Sequence, residues 1–214
     1  MNAWIRRWIV SSYCMLFLIA CGAGTTESNR LSSVDEGGIG GTGISYGSVS
    51  SFGSVFVNGV KFDTRNASVV VEGIERGVGD QAVLNNLALG QVVRVEGIID
   101  QEGLTGTAAR VVFNDSIEGP IESISVEGDI ASLTVLGQPV LVDERTRLDG
   151  VALAELEADN VVEISGLVDQ GGIIRATYLS KKAEVLVPGT EVELQGVVHT
   201  VDTIARTFMT VSYT

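Results

Sequence analysis

The fold is decided by residues Ile117 to Leu179. This stretch contains Ile117-Glu118-Gly119-Pro120-Ile121-Glu122-Ser123-Ile124, then Leu133-Thr134-Val135-Leu136-Gly137-Gln138-Pro139-Val140-Leu141-Val142-Asp143, then Val161-Val162-Glu163-Ile164-Ser165-Gly166 and Ile173-Ile174-Arg175-Ala176-Thr177. Its segments are short, rich in β-branched residues and bounded by Gly, Asn or Asp, which is the pattern of strands separated by turns.

An earlier copy lies upstream. Gly47-Ser48-Val49-Ser50-Ser51-Phe52 answers Gly119-Pro120-Ile121-Glu122-Ser123-Ile124, and Val92-Val93-Arg94-Val95-Glu96-Gly97 answers Val161-Val162-Glu163-Ile164-Ser165-Gly166. Phe62-Asp63 pairs with Val142-Asp143, so the period is roughly 70 residues. In the first copy Val55-Phe56-Val57, Val60-Lys61-Phe62, Val69-Val70-Val71 and Ala109-Arg110-Val111-Val112-Phe113 read as strands, and Asn58-Gly59 predicts a tight hairpin because both residues accept positive φ. One segment per copy predicts a short helix or helical turn: Ala82–Gly90 in the first, Val151–Glu157 in the second. Three strands, one helical piece and two strands is the element order of the five-stranded OB barrel, with a small sandwich as the structural rival. The expected fold is all-β: tandem small OB-like barrels, repeat 1 over 44–116 and repeat 2 over 117–192. Glu193-Leu194-Gln195-Gly196-Val197-Val198-His199 opens an incomplete repeat 3 over 193–214. Lacking its later strands, that piece must pair with repeat 2, stay loose or belong to a longer product.

The start of the chain reads as an address. Arg6 and Arg7 precede the apolar run Trp8–Phe17, and Leu18-Ile19-Ala20-Cys21 resembles the bacterial lipobox. Residues 1–20 are expected to be a cleaved lipoprotein signal peptide, with Cys21 lipidated and anchoring the chain to a membrane. Gly22 follows where an Asp would, by resemblance to Gram-negative sorting, hold the protein at the inner membrane, so the outer membrane or cell surface is the expected place. Residues 21–43 read as a flexible, glycine-rich tether.

With Gly38-Ile39-Gly40-Gly41-Thr42-Gly43-Ile44, Phe52-Gly53-Ser54-Val55-Phe56-Val57-Asn58-Gly59, Val92–Gly97 and the lipobox together, the chain resembles bacterial lipoproteins carrying repeats of the domain-of-unknown-function 5666 family. The resemblance implies OB-like β repeats on a lipid anchor. It brings no activity and no catalytic residues.

Composition narrows the chemistry. A formal net charge of -13 repels phosphate backbones, so nucleic acid is not an expected partner. The chain has 2 Cys, Cys14 and Cys21, and 1 His, His199. Disulfides, Cys/His zinc sites and thiol chemistry are thereby excluded from a mature chain starting at Cys21. Gly38, Gly40 and Gly43 fit G-x-G-x-x-G, but a tether precedes and no helical period follows, so no nucleotide site is assigned. A nucleophilic triad would have to use His199 in the incomplete unit, where a solvent-facing histidine is the plainer reading.

Asp63, Glu72, Asp100, Asp143, Asp149 and Asp169 all fall near turns where carboxylates could converge, although turn Asp ordinarily bonds its own backbone. Asp143–Gly150 gathers acids near a glycine but lacks the alternating ligands of a calcium loop. No catalytic set, cofactor or metal site is assigned. What remains is a non-enzymatic envelope binding module for a protein or glycan, with a structural spacer and a carboxylate-based hydrolase as alternatives.

Overall fold

The computed structural model describes residues 39–40, 43–196 and 198–210. The expected signal peptide, Cys21 and most of the expected tether lie outside the described residues. The first half comprises β1 (Ile39–Gly40), β2 (Ile44–Ser48), β3 (Val55–Val57), β4 (Val60–Asp63), β5 (Ser68–Val71), β6 (Ile74–Val78), α1 (Asp80–Asn86), β7 (Val92–Ile99) and β8 (Thr105–Phe113). The second comprises β9 (Ile117–Glu127), β10 (Ile130–Val135), β11 (Gln138–Val142), β12 (Arg147–Asp149), a 3-10 turn (Leu153–Glu155), β13 (Val161–Val168) and β14 (Ile174–Ala183). β15 (Glu193–Leu194), β16 (Val198–Asp202) and β17 (Thr207–Thr210) follow. Ile39–Gly40, within the stretch read as tether, is a short strand paired antiparallel with Ile44 and Ser45.

Repeat 2 closes on itself. Its strands run β9-β10-β11-β14-β13, and β13 pairs back onto β9. The β11–β14 contact is parallel while the other contacts in the ring are antiparallel, so the third and fifth strands lie side by side as an OB barrel requires. Repeat 1 follows the same order, β2-β3-β4-β8-β7, with β4 parallel to β8. Its ring closes through the Val49–Val57 bridge and the Ser50 N–H to Phe56 carbonyl bond of 3.0 Å. A closed ring leaves no bare sheet edge, which decides against the sandwich.

Alternation along the strands fills each barrel. Val55, Val57, Val60, Phe62, Val93, Val95 and Val111 form the first core, and Ile117, Ile121, Leu133, Val135, Val142, Ile164 and Leu179 the second. Lys61, between buried Val60 and Phe62, points to solvent, as a period of two demands. The Asn58-Gly59 hairpin forms as predicted, with φ of 51° and 77°. Leu136-Gly137 does the same work in repeat 2, with φ of 46° and 73°. Tyr178, Phe62 and Phe113 are buried, whereas Tyr46 is exposed.

The helical pieces differ from expectation. In repeat 1 the helix starts earlier than Ala82, at Asp80, and stops before Leu87, which turns extended and is buried. Thr64 Oγ1 donates to Asp80 Oδ1 at 2.7 Å and so fixes the helix start from the preceding turn. In repeat 2 only the 3-10 turn Leu153–Glu155 forms, held by the Ala152 N–H to Glu155 Oε2 at 2.9 Å. Of the two forms expected, a short helix or a helical turn, repeat 1 has the helix and repeat 2 the turn.

The segment expected to open a third repeat forms no barrel among the described residues. β15 pairs antiparallel with β9, and Leu194 packs against the repeat 2 core. β16 and β17 form a separate two-stranded hairpin.

Candidate functional site

The two barrels meet along a seam. Val92 N–H donates to Ser165 Oγ at 2.8 Å, and Gln91 Nε2 reaches Glu163 Oε1 at 3.4 Å. Gly90, at φ +90°, lies so close to repeat 2 that a Cβ there would stand 2.4 Å from the Thr177 carbonyl oxygen. Only glycine fits that approach.

One side of the seam is a groove of about 480 Å³, with Ser48, Asn58 and Gly90 from repeat 1 facing Arg145, Arg147, Arg175 and Thr177 from repeat 2. The Arg145 guanidinium is braced by Asp143 at 2.7 Å and Arg175 by Asp169 at 3.0 Å. Arg147 carries no ion pair among the described residues. Three guanidiniums and the Asp143 carboxylate line this groove, a local excess of positive charge on a chain with a net charge of -13.

Elsewhere on the seam the charges are acidic. Glu72 follows β5, Asp115 lies in the linker between β8 and β9, and Glu193 begins β15. One carboxylate oxygen from each lies within 4.8 Å of the other two. Asp115 is 5% exposed, and its N–H donates to Glu72 Oε1 at 2.7 Å. No hydrogen bond or ion pair among the described residues reaches its own carboxylate. Burial, and then the negative charges of Glu72, Glu193, Glu163 and Glu118, push the Asp115 carboxyl up to about 8. Glu72 is raised as well, chiefly by burial and against the Asp115 N–H bond.

The strand register adds to the crowding. Glu193 stands opposite Glu118, and Glu118 opposite Glu163, across β15, β9 and β13. Lys182 Nζ offsets part of this row, 2.6 Å from Glu163 and 4.0 Å from Glu118. The three carboxylates line an open hollow of about 430 Å³ with Gly73, Asn114 and Gln195.

Most of the turn carboxylates singled out by sequence do not converge. Asp63 takes the Arg65 guanidinium and N–H, and Arg65 holds it down at about 2. Asp143 likewise takes the Arg145 guanidinium and N–H, and the Arg145 hydrogen bond lowers its carboxyl from the ordinary value. Asp100 bonds the Leu104 N–H and the Thr105 hydroxyl, Asp169 the Gly171 and Ile173 N–H groups, and Asp149 the Tyr178 hydroxyl at 2.9 Å. Glu72 alone of that set enters a carboxylate cluster, with partners the sequence did not single out. Asp115 and Glu193 meet only because β15 returns onto β9, a long-range pairing without local signal. Gly43 turns the chain between β1 and β2, with a Cβ position 2.7 Å from the Gly97 carbonyl oxygen, and no helix follows it. His199 lies in β16.

The duplicated geometry now has a family to which it belongs. A family model described as "Domain of unknown function (DUF5666)" matches residues 46–112 and again 118–180. The chain belongs to the DUF5666 family. No curated protein and no solved structure matches it. In both DUF5666 repeats a first-strand glycine makes room for the hairpin: a Cβ on Gly47 would meet Asn58 Oδ1 at 2.2 Å, and one on Gly119 would meet Leu136 Cγ at 2.8 Å. Both also place a glycine at a bulge, Gly97 against the Thr107 carbonyl and Gly166 against the Arg175 carbonyl.

Proposed function

We propose that this chain is a non-enzymatic binding module of the bacterial cell envelope, lipid-anchored at Cys21 to the outer membrane or cell surface, whose paired barrels hold a protein or glycan partner. The arginine-walled groove at the seam carries the reading. Arg147 is free of ion pairs among the described residues, while Arg145 is paired with Asp143, which lines the groove beside it, and Arg175 with Asp169. Such donors suit the carboxylates or phosphates of an anionic glycan segment better than a neutral sugar.

The test is calorimetric titration of the full chain with oligogalacturonate as an anionic probe. Binding that weakens at least about tenfold in Arg147→Glu, and falls with added salt, supports the reading. No binding to the probe, together with no envelope component retained in crosslinking pull-downs, overturns it. Labelling cells with a lipid analogue tests the anchor: the wild-type chain takes up label and Cys21→Ser does not.

A structural spacer is the second reading, favoured by the hydrogen-bonded seam that locks one barrel to the next. A spacer tolerates replacement of repeat 2 by an unrelated domain of similar length, and a binder does not. The carboxylate-hydrolase alternative finds little support, since Asp143 is committed to Arg145 and Asp149 to Tyr178.

A further inference from the structure

We infer that the acidic pair Asp35-Glu36, just upstream of β1, docks in the arginine groove of its own chain and occupies it until a competing anion displaces it. The docking rests on the charge and position of the groove alone, whereas its consequence for a ligand rests on the binding-module reading.

Strand register brings the pair to the groove. β1 runs antiparallel to β2, with Ile39 opposite Ser45 and Gly40 opposite Ile44. Followed backwards from Ile39, the chain is therefore directed along β2 toward Ser48, which lines the groove with Val49, Asn58 and Gly59. Ser48 lies three residues beyond Ser45, and Glu36 three residues before Ile39. At about 3.3 Å per residue each interval spans roughly 10 Å, so Glu36 and Asp35 reach the level of the groove.

The β1–β2 ladder has no room to carry them further in register. The Tyr46 carbonyl, next along β2, accepts Asn58 Nδ2 at 2.8 Å, and Val49 is bridged to Val57. A chain leaving β2 at this point passes over the Asn58-Gly59 hairpin, which is itself a wall of the groove. Gly37-Gly38 stand where that departure falls, and glycine accepts the sharp change of direction.

Charge completes the match. Arg147 carries no ion pair among the described residues, and Arg145 and Arg175 are each paired with one acid. A guanidinium has five N–H donors, so all three retain donors for a further carboxylate. Ser32-Ser33-Val34-Asp35-Glu36-Gly37-Gly38 contains two acids and no basic residue. A segment tied to β1 competes at an effective concentration on the order of millimolar, so even screened ion pairs keep it seated, and an anion of higher valence displaces it.

Arginine Nε–Hε resonances of the isotope-labelled full chain in detergent read the docking directly, with the Arg147 signal assigned through Arg147→Lys. Asp35→Asn/Glu36→Gln should shift that signal from its wild-type position, and the difference should vanish at about 0.5 M salt. Glu127→Gln/Asp129→Asn, which removes the same charge from the β9–β10 turn outside the groove, should leave it in place. Calorimetric titration with oligogalacturonate should show affinity about tenfold higher in Asp35→Asn/Glu36→Gln than in the wild type. A probe that binds neither chain counts against the binding-module reading, while the resonance shift still decides the docking. An Arg147 signal identical in the wild type and Asp35→Asn/Glu36→Gln, or an equal shift in both double variants, overturns the inference. A shift that grows with protein concentration also overturns it, by placing the acids of a second copy in the groove.

Discussion

Ser45 and Ser165 are both fully buried, and their hydroxyls have opposite fates. Ser45 Oγ has no hydrogen-bond partner, whereas Ser165 Oγ accepts the Val92 N–H across the seam. Substituting alanine is therefore expected to have opposite signs. Ser45→Ala removes an unsatisfied polar group and should raise stability by about 1 kcal/mol; Ser165→Ala strips Val92 N–H of that acceptor and should lower it by about 1–3 kcal/mol. Urea denaturation followed by far-UV circular dichroism measures both. Tyr178 makes a pH prediction of the same local kind. Its phenol is pushed up to about 12, first by burial and then by its bond to Asp149. The folded value lies above the unfolded value of about 10, so the contribution is fully present below pH 10 and is lost as pH rises toward about 12. Tyr178→Phe should flatten the fall of the urea midpoint in that window. None of these assignments is visible along the chain, since a serine or tyrosine in a strand looks alike whether or not a neighbour faces it.

At the level of elements, the bulges are the most sensitive points. β13 shifts register between Ser165 and Gly166, and β7 between Glu96 and Gly97. A Cβ on Gly166 would lie 2.4 Å from the Arg175 carbonyl oxygen, a backbone atom that cannot step aside. Gly166→Ala should cost about 2–3 kcal/mol by forcing the β13–β14 ladder apart, while Gly137→Ala, in the open β10–β11 turn, should cost about 1 kcal/mol from its positive φ alone. Chemical denaturation of the two variants side by side checks the ranking. The hairpin at Asn58-Gly59 was legible because turn type is a local property of two residues. The place of the helical piece in repeat 2 was legible but not its form: Val151–Glu157 folds as one 3-10 turn, with Leu156 the residue of that segment buried in the core.

Taken together, the described residues hold two cores joined by a seam. Gly90→Leu inserts a side chain where even a Cβ stands 2.4 Å from the Thr177 carbonyl oxygen and 3.1 Å from Arg147 Cβ. Each barrel has its own core, so the expected outcome in scanning calorimetry is a split of the unfolding transition into two. A single transition with an unaltered midpoint would falsify the view that the seam couples the barrels. The period of roughly 70 residues, the alternation of Val, Ile and Leu, the Gly and Asn-Gly turns and the three-strand, helical-piece, two-strand order were enough to determine an all-β tandem repeat of OB type. Those features are local or repeated, and strand period and turn chemistry act over a few residues. Tertiary structure alone decided which acids meet. Asp63, Asp100, Asp143, Asp149 and Asp169 are each held by partners close by in their own repeat, whereas Asp115 is left facing Glu72 and Glu193. The physical reason is that convergence of charges far apart in sequence depends on how closed barrels dock, through the β15–β9 register and the close approach at Gly90, and no residue carries that information by itself.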